Sequence, residues 1–207
     1  MTSRSAAVLV SGGWDSLVLL AWARARHARV YPVYVRCGLR WERAELHHLR
    51  RFLKDDRRPG VAPLTVLNLP MKDVYGAHWS RTGRGVPGAR SRDSAVYLPG
   101  RNALLLTKAG VFAATRGVGT LYIGVLSANP FGDASPSFFR AQERALSLAL
   151  RTPLRLRAPF RRLDKGALKR WAQGLPARHA FSCLNPRGVS PCGRCNKCAE
   201  LRRILVK

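Results

Sequence analysis

Apolar residues gather in five short runs, at 6–10, 30–35, 64–69, 120–125 and 154–158, the first of them continuous. Runs without polar alternation are what strands buried on both faces of a parallel sheet look like. Between them the apolar positions switch to helical spacing. Residues 17–26 form one such stretch. Residues 42–53 form another, with Leu46, Leu49 and Leu53 near one face and Glu42 and Glu45 at its electropositive start. The segments from Arg101 to about Thr115 and 137–150 continue the series, and Asp164 reads as the N-cap of a last helix over 165–173. Strand and helix alternate, which predicts an α/β fold, a doubly wound parallel sheet of Rossmann-like type with right-handed crossovers.

Over residues 70–98 the pattern dissolves into glycines, prolines and arginines. A stretch this long without periodicity predicts a functional loop, here a mobile lid. Its Gly83-Arg84-Gly85-Val86-Pro87-Gly88 fits the dinucleotide fingerprint formally, but no strand precedes it and Pro87 interrupts it.

In a doubly wound sheet, ligands collect at the carboxyl ends of the strands where the strand order reverses. If the fourth strand lies beside the first, Ser127, Asn129 and Asp133 share a crevice with the turn after the first strand. Arg36 and Arg40, just past the second strand, border it from the other side.

That first turn carries the strongest chemical signal: Val10-Ser11-Gly12-Gly13-Trp14-Asp15-Ser16. Two glycines remove the Cβ atoms that keep an anion off the backbone, so successive N–H groups can converge on an oxyanion. Ser11 and Ser16 add hydroxyl donors, and the helix behind them points its positive end at the same spot. Asp15 repels a bare phosphate, so its presence calls for a divalent cation, magnesium (Mg2+), between carboxylate and phosphates. A plain glycine turn between strand and helix is the bland alternative, and the ordered set of five polar and glycine positions directly after a strand outweighs it.

The 207 residues, 46% hydrophobic, suffice for one good core with a small appendage. The division predicted is a nucleotide-binding domain over 1–175 and a tail over 176–207. No apolar run approaches the about 20 residues that cross a bilayer. Residues 1–5 lead straight into the first strand, which predicts no signal peptide and a cytoplasmic protein. Four of the five cysteines, Cys183, Cys192, Cys195 and Cys198, crowd near the end at the spacing of a closed tetrahedral Zn2+ site. Buried free thiols and an iron-sulfur cluster are the other readings of those four residues. Cys37 stands alone and reads as a small buried hydrophobe. His47 and His48, adjacent on a helix, cannot chelate one ion and read as surface residues. The net charge of +26 attracts polyanions, yet along the sequence the arginines are scattered over nearly every segment and not gathered with aromatics in one stripe.

Ser-Gly-Gly-x-Asp-Ser resembles the PP-loop of the N-type ATP pyrophosphatases, enzymes of the adenine nucleotide alpha hydrolase type that cleave ATP between its α and β phosphates. With Leu98-Pro99-Gly100-Arg101-Asn102, Gly124-Val125 and the cysteine tail, the chain resembles the QueC family, the 7-cyano-7-deazaguanine synthases, over nearly its whole length. The resemblance implies ATP, Mg2+ and Zn2+. It implies adenylylation of 7-carboxy-7-deazaguanine followed by attack of ammonia, with a second ATP used to dehydrate the amide to the nitrile, and it implies a homodimer. Under it, Val10, Ser11, Gly12, Gly13 and Ser16 hold the nucleotide, Asp15 the magnesium, and Arg101 with Asn102 position nucleotide or substrate. Asp15, Ser16 and Arg101 are then the catalytic set, and Arg40, Ser127, Asn129 and Asp133 the substrate set. Two segments depart from the family. An expected Asp-Cys-Arg is Asp133-Ala134-Ser135 here, and Gln-Arg-His is Leu39-Arg40-Trp41. The acceptor therefore stays open between a deazaguanine carboxylate, a nucleic acid and a protein. Two other readings remain: a tRNA-modifying PP-loop enzyme of thiolase or lysidine type, and a non-catalytic basic zinc protein that binds nucleic acid.

Overall fold

The computed structural model describes residues 5–56 and 58–205. Residues 1–4, where the sequence predicts no leader, lie outside them. Five parallel strands, β1 (Ser5–Leu9), β2 (Arg29–Arg36), β3 (Thr65–Asn68), β4 (Thr120–Tyr122) and β5 (Arg155–Arg157), form one sheet in the order β3-β2-β1-β4-β5. The order in which strands are added reverses between β1 and β4, so the turn after β1 sits at the switch point. β1 is buried along both faces, which is why Ala6 to Leu9 show no polar alternation.

Helices cover both faces. On one lie α1 (Trp14–Arg24) and α2 (Glu42–Asp55), whose Leu17, Leu20, Leu46, Leu49 and Phe52 pack on Val8, Val30 and Tyr34. On the other, α5 (Arg101–Thr115) and α6 (Pro136–Leu150) pack Leu106, Ala109, Phe139 and Leu146 against Ala7, Val33 and Leu121. Phe52 is fully buried where the sequence pattern pointed to Leu53, which is only partly covered.

Three segments depart from the sequence expectation. β4 ends at Tyr122 because the chain then bends toward the first turn. Ile123 still donates to Arg157 O (3.0 Å), but Gly124 lies against the backbone of Asp15 and Ser16. The helix expected over 165–173 is a 3-10 turn, Gly166–Trp171, begun by Asp164 Oδ1 accepting from Ala167 N (2.8 Å) and stopped before Gly174. Residues 70–98 are not structureless. α3 (Lys72–Tyr75) and α4 (Trp79–Thr82) dock through buried Met71, Tyr75 and Ser80, Trp79 stacks on Trp41 at 5.8 Å, and Tyr75 Oη donates to Pro99 O (3.0 Å). One-turn helices are too short to leave a readable period.

The tail closes over the carboxyl ends of the strands. Phe181 N donates to Gly12 O (2.8 Å), and His48 stacks on Phe181 at 4.6 Å while its Nε2 donates to Val189 O (2.9 Å). His48 is thus a half-buried clamp on the tail and not the surface residue expected. The last helix, α7 (Asn196–Leu205), is tied to the 70–98 segment by Asn196, whose N–H donates to Pro87 O (3.0 Å) and whose Nδ2 donates to Ser91 O (2.8 Å). Among the described residues, no helix is long and apolar enough to cross a membrane.

Candidate active site

A crevice of about 270 Å³ opens where the turn after β1, the start of α5, the loop after β4 and α7 meet. Gly12, at φ +81°, turns the chain back beneath α2. Gly13 caps α1 with no side-chain acceptor, so the leading N–H groups of that helix remain for a ligand. The two serines brace the turn. Ser16 Oγ donates to Gly13 O (2.9 Å) and accepts from Ser11 N (3.1 Å), and Ser11 Oγ accepts from Gly13 N (3.3 Å). Hydroxyls and backbone groups of this small loop therefore hold one another in place.

Three buried polar atoms around this loop have no hydrogen-bond partner: Asp15 Oδ1, Trp14 Nε1 and Arg101 Nε. Such atoms are costly to bury unsatisfied, and the three residues that carry them line one crevice, a lining that suits a polar ligand. The other oxygen of Asp15 lies 3.6 Å from Lys165 Nζ, which pairs with Glu200 Oε1 (2.6 Å). Lys197 Nζ closes the chain on Glu200 Oε2 (2.8 Å). Burial raises the Asp15 carboxyl above its ordinary value, and Lys165 works against that rise.

Eight residues that the sequence singled out share the crevice wall: Ser11, Gly13, Asp15, Ser16, Arg101, Asn102, Asn129 and Asp133. Val10 lies beside it, lining a small adjoining cavity with Ser11 and Arg101, and Gly12 is buried behind the loop. Asn102 and Asp133 face each other: Asp133 Oδ2 accepts from Asn102 N (2.9 Å), and Asn102 Nδ2 donates to Asp133 O and Oδ1 (3.2 Å each). Asp133 thereby caps α5. Ser127 is exposed on a neighbouring rim cavity that it shares with Asp15 and Asn129. Arg40 does not reach the crevice; its guanidinium donates to Asn185 Oδ1 and covers the turn at Gly83.

Sequence reasoning missed Lys165, Lys197, Glu200 and Ser182, all on the crevice wall. Lys197 and Glu200 stand three apart on α7, a spacing that signals an ion pair but not where it points. It also missed Glu45, buried behind the loop, where Tyr34 Oη donates to its Oε2 (2.6 Å). Burial pushes the Glu45 carboxyl up to about 7, against the pull of Arg101 and the Tyr34 hydrogen bond. Cys37 is buried, and burial lifts its thiol to about 11, which makes it a poor nucleophile.

The four tail cysteines are all free thiols, and their Sγ atoms lie within 4.8 Å of one another. A tetrahedral Zn2+ with bonds of about 2.3 Å sets its sulfurs about 3.8 Å apart, and Cys192 and Cys198 stand at 3.9 Å. Backbone N–H groups already point at sulfur: Cys192 N at Cys183 Sγ (3.2 Å), Leu184 N and Cys198 N at Cys195 Sγ (3.4 Å each). The neighbouring thiols of Cys183 and Cys198, with those N–H donors, pull the Cys195 thiol down. This donor set suits a structural zinc ion, and Gly193, at φ +73°, makes the turn between two of its members.

The sequence profile described as Queuosine biosynthesis protein QueC matches residues 5–206. The chain belongs to the QueC family. Among relatives of this QueC-family chain, the 7-cyano-7-deazaguanine synthase of Anaeromyxobacter dehalogenans (strain 2CP-C) is 35% identical, covering 97% of this chain and 91% of its own length. That of Pyrococcus furiosus is 28% identical over 99% and 93%. Among solved structures, a 4-thiouridine synthetase in complex with RNA and bound ATP superposes with a TM-score of 0.54 at 19% identity, over 98% of this chain and 50% of that one. A predicted subunit of a tRNA methyltransferase from Methanocaldococcus jannaschii gives 0.52 at 16%, over 82% and 74%. These two structures share the fold.

Proposed function

We propose that this QueC-family chain is an AMP-forming, ATP-dependent ligase. It adenylylates the carboxylate of 7-carboxy-7-deazaguanine or a close relative and lets ammonia or another amine displace AMP to give the amide; with ammonia, a second ATP activates the amide oxygen, which leaves with AMP as the nitrile of 7-cyano-7-deazaguanine forms. The observation that carries the reading is the convergence of Asp15 Oδ1 and Arg101 Nε, both buried and unpartnered, on the glycine-serine loop. A carboxylate is a poor electrophile; attack of its oxygen on the α-phosphorus, with pyrophosphate leaving, turns it into a mixed anhydride whose carbonyl is reactive. The loop of Ser11, Gly12, Gly13 and Ser16 would take the outgoing pyrophosphate, its donors turning from one another to the phosphate oxygens. Asp15 would hold a Mg2+ ion, which supplies charge neutralisation at the phosphates. Lys165, held between two carboxylates, is placed to reach an oxygen on the phosphate chain.

Where the family pattern has an arginine, Ser135 here caps α6, accepting from Phe138 N (3.2 Å), and Ala134 is buried. Arg101, whose Nε is unpartnered, is the cation left to meet the acceptor's carboxylate. The test is release of pyrophosphate and AMP from ATP with 7-carboxy-7-deazaguanine and ammonia. Asp15→Asn should abolish release while zinc content stays unchanged. Release unaffected by that change, or none with the wild type, overturns the proposal.

A further inference from the structure

A groove of about 750 Å³, larger than the crevice, lies at the opposite, amino-terminal end of the strands. It lies between the last turn of α1 and the edge formed by β4 and β5. Its wall is built by residues from 22–27, 119–122 and 153–159, and none of these three segments contains an acid. Far apart in sequence, they become neighbours because β1 and β4 pair and β5 is the edge strand beyond them.

Arg26, Arg155 and Arg157 line the groove, and all three are exposed. Beside them are two rings, half-buried Trp22 and buried Tyr122. Trp22 meets Tyr122 edge-on at 5.4 Å, and the Arg26 guanidinium carbon lies over the Trp22 ring, 4.1 Å from its centroid. The acid that reaches this wall, Glu143, is taken up by Arg157 Nη1 (2.6 Å) and Leu156 N (2.7 Å), so it fixes Arg157 without neutralising Arg26 or Arg155. Arginines set around aromatic faces in a concave groove are the pattern that holds a single nucleic-acid strand: guanidinium groups take phosphates, and rings or guanidinium planes stack bases. A duplex, stiff and broad, suits an open stripe better than a groove.

We infer that the groove lined by Trp22, Arg26, Tyr122, Arg155 and Arg157 binds a single-stranded stretch of nucleic acid. This site stands at the far end of the strands from the phosphate loop and does not depend on the ligase reading. It gives part of the +26 charge a defined place.

The test is fluorescence anisotropy of the full chain with labelled single-stranded RNA and DNA oligonucleotides of about 12 nucleotides, over a range of salt. Arg26→Glu with Arg155→Glu should weaken binding at least about tenfold. At about 0.7 per phosphate contact, it should also flatten the slope of log affinity against log salt by about 1.4. Arg50→Glu with Lys54→Glu, the same charge change on exposed positions of α2, should stay within about twofold of wild type. If the first pair fails to fold, Arg26→Gln with Arg155→Gln replaces it and should flatten the slope equally. Asp15→Asn and saturating ATP should leave oligonucleotide binding unchanged, so failure here is separable from failure of the ligase reading. Equal losses in both pairs, displacement by ATP, tighter binding of a duplex of the same sequence, or no binding at low salt would each overturn the inference.

Discussion

Gly12 and Gly13 are neighbours in sequence, yet replacing each with alanine should break different things. At φ +81° an alanine at position 12 sits in the left-handed region, at a cost of about 1–2 kcal/mol. Its Cβ would also stand 3.3 Å from Glu45 O and 3.5 Å from Leu49 Cβ, on a helix that cannot easily move. Together these come to about 2 kcal/mol, and at about 2–4 °C per kcal/mol for a chain of this size, Gly12→Ala should melt about 4–8 °C lower. Gly13, at φ −71° and ψ 151°, has a backbone any residue adopts. A Cβ there meets Ser182 Oγ at 3.1 Å and Ser11 Oγ at 3.3 Å. Ser182 is a side chain and can turn aside, and the alanine also stiffens the unfolded chain, so the melting temperature should move by less than about 2 °C. That same Cβ stands inside the crevice, where it would hold an anion off the N–H groups. The expected loss in pyrophosphate release is on the order of 100-fold, the scale of losing one oxyanion donor. Thermal melts and a pyrophosphate assay on the two variants separate the effects. If Gly13→Ala melted as low as Gly12→Ala while releasing pyrophosphate at the full rate, the placement of the cradle would be refuted.

The buried Glu45 should shape the pH dependence of stability. Its carboxyl rises from an ordinary 4.5 to about 7, so the folded chain holds a proton that the unfolded chain has lost, and stability falls as pH rises through that interval, by roughly 3 kcal/mol at most. Glu45→Gln should flatten the melting-temperature profile between about pH 5 and 7, and an unchanged profile would contradict this. Cys195→Ser should lower bound zinc, measured by atomic emission. Because α7 carries Lys197 and Glu200 to Lys165, it should weaken ATP binding in parallel; zinc loss with intact ATP binding would show that the tail does not brace the crevice. Lys165→Met should lower pyrophosphate release by about 10- to 1,000-fold without changing zinc content, and a rate within twofold of wild type would remove Lys165 from the phosphate site.

Local pattern was enough for the elements themselves. Unbroken apolar runs such as 6–10 mark buried strands wherever they pair, and the turn geometry of a glycine pair is set by its own backbone, so the alternating α/β plan, the glycine-serine turn after the first strand and the four-cysteine cluster were legible one segment at a time. Which surfaces meet is a different kind of fact, fixed by long-range pairing and packing. That β4 lies beside β1, that Lys165 and Glu200 reach Asp15, that Arg40 turns to Asn185 instead, and that one-turn helices at 72–75 and 79–82 dock under the tail all depend on contacts between residues dozens of positions apart. The arginines make the same point. Along the chain they look evenly scattered, and only the pairing of β1 with β4 and of β4 with β5 gathers two of their segments around Trp22 and Tyr122, because charge has no period in sequence and acquires a pattern only when the backbone brings it to one surface.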